Sequence, residues 1–351
     1  MKAQENPSAR TGDQLERWTA KNATRALAQA QGALKTISRQ PFWCQHSRRG
    51  RVDFAASSIT VTHAVVITEL LGEVVELSDD VPLSIRDTPV TFMSVNDFCN
   101  IIIELRTLPD ITDYLSARDA ILPARTRRTI GAEIALYQYY VLNQDSFVGC
   151  CGYEDARIVA AARKADFEKY LRLKPEKHSY ASIVECVADR LAERLENYAE
   201  GLDARTIADF DDPTNRRQYL LIQNELCNLR RFERDGLGMQ FMHLMAKVKN
   251  NPESECMAYG AYYADQKPDF VYVLLCSKGI DRLTVIERTE ILLRAGLAAY
   301  NKTSGMAIAD RDGQNFEVRL VSQYSPGLVD KTLGEQYFAR LKITDIDKPT
   351  Y

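Results

Sequence analysis

The stretch Phe270-Val271-Tyr272-Val273-Leu274-Leu275-Cys276 is apolar at every position. It is short and bounded by turn residues, Asp265-Gln266-Lys267-Pro268 before it and Ser277-Lys278-Gly279 after it. Such a run reads as a strand, and a wholly apolar strand is central to its sheet. Met257 to Tyr263, just upstream, reads as a neighbouring strand reached through the Asp265–Pro268 turn. Downstream, Leu283 to Tyr300 reads as a helix that buries most of its circumference. Met306 to Ala309 and Phe316 to Val321 read as two further strands. Asp310-Arg311-Asp312-Gly313 joins them, and Asp-Gly suits a tight reversal. The order β-β-α-β-β predicts a small antiparallel sheet with the helix on one face.

Upstream of this unit, Asn250-Asn251-Pro252 is the clearest linker in the chain. The segment before it reads as helical throughout. Arg216 to Lys249 forms a long stretch that Gly236-Leu237-Gly238 is expected to break, with Glu225 and Glu233 pairing the arginines on its solvated face. Val184, Val187, Leu191, Leu195 and Tyr198 recur at helical spacing, and Tyr153 to Leu173 is rich in charge and alanine. Ser94-x-x-Asp97 opens a helix, because a hydroxyl there accepts a free backbone N–H and an acid favours the positive helix end. Pro109 ends that helix, Asp110 to Ala120 forms a second, and Glu133 to Leu142 a third. Near the start, Asp13 to Ile37 is a helix, and Val61 to Leu71 is a strand covered on both faces. The first ten residues read as loose.

Length and composition bound the answer. The chain has 351 residues, enough for two or three domains. Its net charge of −3 provides no global basic field for nucleic acid or anionic lipid, so any such contact must be local. The eight cysteines are scattered without a Cys-x-x-Cys pair, which removes the usual zinc spacing. They read as buried reduced thiols of a reducing compartment. No apolar run reaches membrane-spanning length, and residues 1–10 lack an apolar signal core. The expected location is the cytoplasm, with no membrane contact.

No complete catalytic motif is present. Ser277-Lys278-Gly279 has the strand-to-helix context of an anion site but not the spacing of a phosphate loop, so a plain connection is the better reading. Cys44-Gln45-His46 is the one place where thiol and imidazole are neighbours, and it carries the thought of an enzyme of unassigned class. His63 and His243 sit among apolar residues and read as core histidines. No acid followed by Glu-x-Lys lies on consecutive strands, so no metal, cofactor or catalytic residue is assigned. Two basic clusters remain as candidate nucleic-acid contacts: Arg48, Arg49 and Arg51 beside Phe42-Trp43, and Arg125, Arg127 and Arg128 between helices. The competing reading of each cluster is a solvated loop or a set of partners for nearby acids.

Several segments resemble the C-terminal part of a restriction-endonuclease-like domain of the PD-(D/E)XK and nuclease-related group. Lys21 to Ala30 looks like its Ala/Gln-rich helix, and His63 to Leu70 like its following strand. Val90 to Phe98, Ile111 to Arg118 and Glu133 to Asn143 continue the likeness. The strands that carry that family's acids and lysine would lie upstream of residue 13, where only twelve residues stand, so no catalytic position is carried over. The resemblance implies a bacterial, non-catalytic or truncated nuclease-like protein that binds DNA or RNA.

The expectation is therefore an α+β protein in three parts. Residues 1–92 form a partial α/β nuclease-like unit, 93–250 a helical middle, and 251–351 the β-β-α-β-β unit. The alternative function is a protein-interaction or scaffold module, with a partner or second copy covering the incomplete first unit.

Overall fold

The computed structural model describes residues 12–46, 50–70, 74–196, 221–264, 267–312 and 315–338. The fold is α+β. It divides into two compact units, residues 1–174 and 175–350. The sequence reading draws boundaries at 92 and 250 instead. The first would cut a strand, Thr88–Ser94, and the second would separate a helix from the sheet on which it packs.

In the first unit, helix α1 (Asp13–Arg39) buries Leu15, Thr19, Ala23 and Leu27, a single i, i+4 stripe. A hairpin follows, β1 (Phe42–His46) and β2 (Gly50–Phe54). Strands β3 (Ala64–Thr68), β4 (Val75–Glu76), β5 (Ser84–Ile85) and β6 (Thr88–Ser94) come next. β6 is the middle of a three-stranded sheet, parallel to β3 and antiparallel to β5. Its alternation explains its composition. Val90 and Phe92 join the core under α1, with Val66 of β3, while Met93 faces the opposite core. The sheet thus lies between α1 and a helical layer. At β3 the cover thins, and Ile67 is 42% exposed.

That helical layer contains α2 (Val95–Leu105), α3 (Leu108–Ile121), α4 (Ala124–Arg127), α5 (Glu133–Leu142), α6 (Tyr153–Ala162) and α7 (Lys164–Lys177). Between α4 and α5 lies β7 (Thr129–Ile130), which pairs antiparallel with β4. Ser94 caps α2 as its spacing predicts, its Oγ accepting the Asp97 N–H at 3.0 Å. Pro109 acts differently from the expectation. α2 stops earlier, at Arg106 in the left-handed conformation (φ 61°), and Pro109 sits in the first turn of α3, where its missing N–H has no intrahelical partner to lose. The helical stretch expected over Tyr153–Leu173 comprises two helices, divided at Arg163.

In the second unit, α8 (Ala181–Glu196) and α9 (Arg231–Asn250) pack on one face of a four-stranded sheet. Its strands are β8 (Cys256–Tyr262), β9 (Phe270–Lys278), β10 (Ser304–Arg311) and β11 (Asn315–Val321), ordered β11-β10-β9-β8. Helices α10 (Arg282–Ala299) and α11 (Leu328–Phe338) cover the other face. This is why the 270–276 run is apolar throughout. Tyr272, Leu274 and Cys276 face the α8–α9 side, and Val271, Val273 and Leu275 face the α10–α11 side. Two expectations for this unit are corrected. Helices cover both faces, not one. β9 and β10 are parallel, because the chain between them carries an 18-residue helix back to the starting end.

α9 passes through Gly236-Leu237-Gly238 unbroken. Leu237, Phe241, Leu244 and Val248 form its core stripe, which leaves His243 exposed instead of buried. Of the two acids expected to pair its arginines, Glu225 meets Lys267 and Glu233 accepts from the Arg230 backbone N–H at 2.8 Å, while Arg234 lies 3.8 Å from Glu185 and bonds the carbonyls of Cys227 and Leu229 at the end of helical residues 221–227. Gly238 serves packing. A Cβ there would lie 2.1 Å from the Tyr180 carbonyl oxygen, a backbone atom that cannot swing aside. Gly238→Ala therefore lowers the stability of the second unit by about 1–3 kcal/mol through overpacking, against the ~1 kcal/mol gain that alanine brings to a helix free of such a contact. Urea unfolding followed by circular dichroism reads the sign; a stabilised variant would refute this account of the glycine.

Candidate functional site

The β1–β2 hairpin forms a two-stranded sheet of its own. Phe42 and Phe54 are register partners at its base, their rings stacked with centroids 5.0 Å apart. Ser57 ties the far end of β2 to the end of α1, donating from its N–H to the Ile37 carbonyl and from its hydroxyl to the Ser38 carbonyl. Trp43, one residue along from the stack, is 56% exposed. Arg48 and Arg49 lie outside the described residues; Arg51 is paired with Gln45 in the backbone ladder, and its side chain also lies outside them. Cys44 is exposed, and the side chain of His46 lies outside the described set.

The second basic cluster is paired with acids of the same unit. The exposed Arg125 donates to Glu76 at 2.7 Å. Arg127 lies 3.0 Å from Asp119 and is largely buried. Arg128 makes three bonds to one turn, from Nε to the Val81 carbonyl, and from its two terminal nitrogens to the side chain and carbonyl of Asp79. Together with the Leu77 N–H bond to the Arg128 carbonyl, these contacts hold the acidic 76–81 segment against α4 and β7. Of the two readings weighed for this cluster, partnership with nearby acids describes what the side chains do.

Behind it lies a buried polar network that the sequence did not announce. Arg118 on α3 is completely buried, as are Tyr114 one turn earlier and, nearly so, Glu133 at the start of α5. Glu133 Oε1 accepts from Tyr114 Oη at 2.6 Å and from Arg118 Nε at 2.8 Å. Arg118 Nη1 also donates to Asp119 at 3.2 Å, and Asp119 in turn meets Arg127. Burial opposes the charge on Arg118, yet Glu133, Tyr114 and Asp119 outweigh it and hold the guanidinium pKa above its ordinary value. Burial, reinforced by Glu133, pushes the Tyr114 hydroxyl well up, so it stays a donor. His63, half-buried before β3, has its pKa lowered by burial, with Asp119 pulling the other way. Two acids and two arginines close to electrical neutrality, so the network is built to hold helices together.

A second such knot lies nearby. Lys174 donates to both the carbonyl and the carboxylate of Glu104 at 2.7 Å and to Tyr137 Oη at 3.2 Å, with the Tyr170 ring 5.0 Å from its ammonium. Its stem is buried while its charge is fully occupied.

The other candidates resolve as structure. The Gly279 N–H donates to the Asp312 carboxylate, Asp281 caps α10 by accepting from Thr284, and Lys278 bonds the Asn251 carbonyl. The N–H of Gly279 and the Lys278 ammonium thus have protein partners, and an acid already stands where an anion would bind. Five of the eight cysteines are exposed, against the expectation of burial; Cys150, Cys256 and Cys276 are the buried three. Among the described residues, no three His, Cys, Asp or Glu side chains converge as a metal site. No helix among them is long and apolar enough to cross a membrane. No protein-family model, curated protein or solved structure matches this chain.

Glu133→Ala removes the shared acceptor and strands Arg118 in the core, so it lowers the stability of the first unit by about 3–5 kcal/mol. Arg125→Ala breaks an exposed pair and leaves the unfolding midpoint unchanged. Urea denaturation of both variants checks the contrast; equal effects would show that the buried network does not hold the unit.

Proposed function

We propose that this chain binds nucleic acid without cleaving it, as a nuclease-like protein lacking a metal centre, and that the β1–β2 hairpin makes the contact. One observation carries the reading: an exposed Trp43 on a two-stranded ribbon whose sequence holds Arg48, Arg49 and Arg51 against a single acid, Asp53. A basic strand pair attracts phosphates, and an indole face supplies a stacking platform for bases. Arg125, Arg127 and Arg128 take no part, because each already faces a carboxylate. The nuclease-like element of the proposal rests on the sequence segments that resemble that group.

The competing reading is a protein-interaction module that ignores nucleic acid. Titration of a Trp18→Phe variant, whose remaining tryptophan is Trp43, with oligonucleotides separates the two. Binding quenches Trp43 fluorescence, and affinity falls with salt at a slope near −2 for about three phosphate contacts. Reversing Arg48, Arg49 and Arg51 to glutamate abolishes binding, whereas reversing Arg125 leaves it in place. Binding that survives the hairpin reversals would remove the hairpin from this role, and no binding at low salt would leave the interaction reading.

A further inference from the structure

The two edges of the second unit's sheet are unlike. At one edge, β11 alternates apolar residues with Glu317 and Arg319, and Glu317 is held by Arg282 of α10 at 2.8 Å. Inward-pointing charges of this kind discourage another strand from adding. At the other edge stands β8, Cys256-Met257-Ala258-Tyr259-Gly260-Ala261-Tyr262. It has no charged residue and no proline, and among the described residues it pairs only with β9. Its five central residues are half-buried, with Met257, Tyr259 and Ala261 packed toward α10–α11 and Ala258 toward α8–α9.

Gly260 adds a second, independent observation. Glycine in the middle of a strand weakens it and commonly marks the close approach of another backbone. Nothing among the described residues asks for it. Its φ is not positive, and a Cβ there would meet only the Leu244 side chain, at 3.6 Å, an ordinary contact. The glycines at 238, 296 and 334 each relieve an approach closer than 3 Å; Gly260 relieves none.

We propose that the chain forms a two-fold homodimer by antiparallel pairing of β8 with β8 of a second copy. The occupant is a second copy because the arrangement closes. Each chain has one neutral edge and one charged edge in this sheet. A two-fold contact joins the neutral edges into a continuous sheet and leaves only the charged β11 edges outside, so assembly stops at two. The neutral strand meets its own copy without like-charge repulsion, and main-chain hydrogen bonds supply the register.

Multi-angle light scattering of the purified full chain tests this, together with Gly260→Lys. A Cβ at Gly260 meets Leu244 only at ordinary contact distance, and a charged side chain introduced on an edge strand discourages another strand from adding. The expected result is a wild-type mass of about twice 39.7 kDa and a folded Gly260→Lys variant at the single-chain mass. A wild-type monomer at 100 µM, or a folded variant that remains dimeric, would overturn the proposal. Should the variant fail to fold, amide exchange of the wild type decides. Slow exchange throughout β8 supports pairing, and a fast-exchanging half of its amides, as in the unpaired edge β11, refutes it.

Discussion

A guanidinium with no access to water constrains the whole first unit. Arg118 is 0% exposed, and an isolated buried charge costs several kcal/mol. It is tolerable only where Glu133 and Asp119 meet it, which fixes α3 against α5 and, through Asp119 and Arg127, fixes α4 as well. Pairs of this kind add little net stability compared with apolar packing. Their force lies in exclusion, since any arrangement that separates them strands a charge. The surrounding aromatic cluster gives the apolar burial. Tyr114 packs edge-on against Tyr140 and Tyr137, with centroids at 5.1 and 5.9 Å, and Phe147 closes the group.

The second unit uses the opposite strategy. Its keystone is β9, with no charged side chain until Lys278, and its specificity comes from shape. Gly238 admits the Tyr180 backbone, Gly296 admits Val273 of the sheet, and Gly334 lets α11 close on α10. Three glycines at helix positions are a propensity loss of roughly 1 kcal/mol each. The loss is offset because each lets a helix approach at a distance no other residue permits.

This contrast explains how much was legible in the sequence. Periodicity carries through a local window, so the strands and helix of the second unit fall within a few residues of their expected limits. The sheet's parallel pair and its double cover depend on where α10 returns the chain, which no window contains. Gly236 and Gly238 have the composition of a break, and only the Tyr180 backbone, far away in sequence, gives them another use. In the first unit the partners of Arg118 lie 1 and 15 residues away, and those of Arg125 and Arg128 lie 47 or 49 away. The segments Ile111–Arg118 and Glu133–Asn143 stood out in the sequence by resemblance, and they contain the buried network, yet nothing in either segment alone shows that they meet.

Arginine clusters illustrate the same limit where it touches function. Arg125-Thr126-Arg127-Arg128 and Arg48-Arg49-Gly50-Arg51 look alike as text. A carboxylate within hydrogen-bonding distance removes most of the field that a phosphate would feel, because the pair presents a dipole rather than a charge. The first cluster has acids at Glu76, Asp79 and Asp119 folded onto it, and Asp79 itself is delivered by a turn that Arg128 holds. The acids and the arginines are then one structural element, and the surface there is close to neutral at any distance beyond a few ångströms. The hairpin has one acid in its own sequence against three arginines, and among the described residues its two strands pair only with each other. In a chain of net charge −3, this local excess in the sequence is what the proposed contact rests on. The two-stranded ribbon that carries it is tied at its base to α1 by the Ser57 hydrogen bonds.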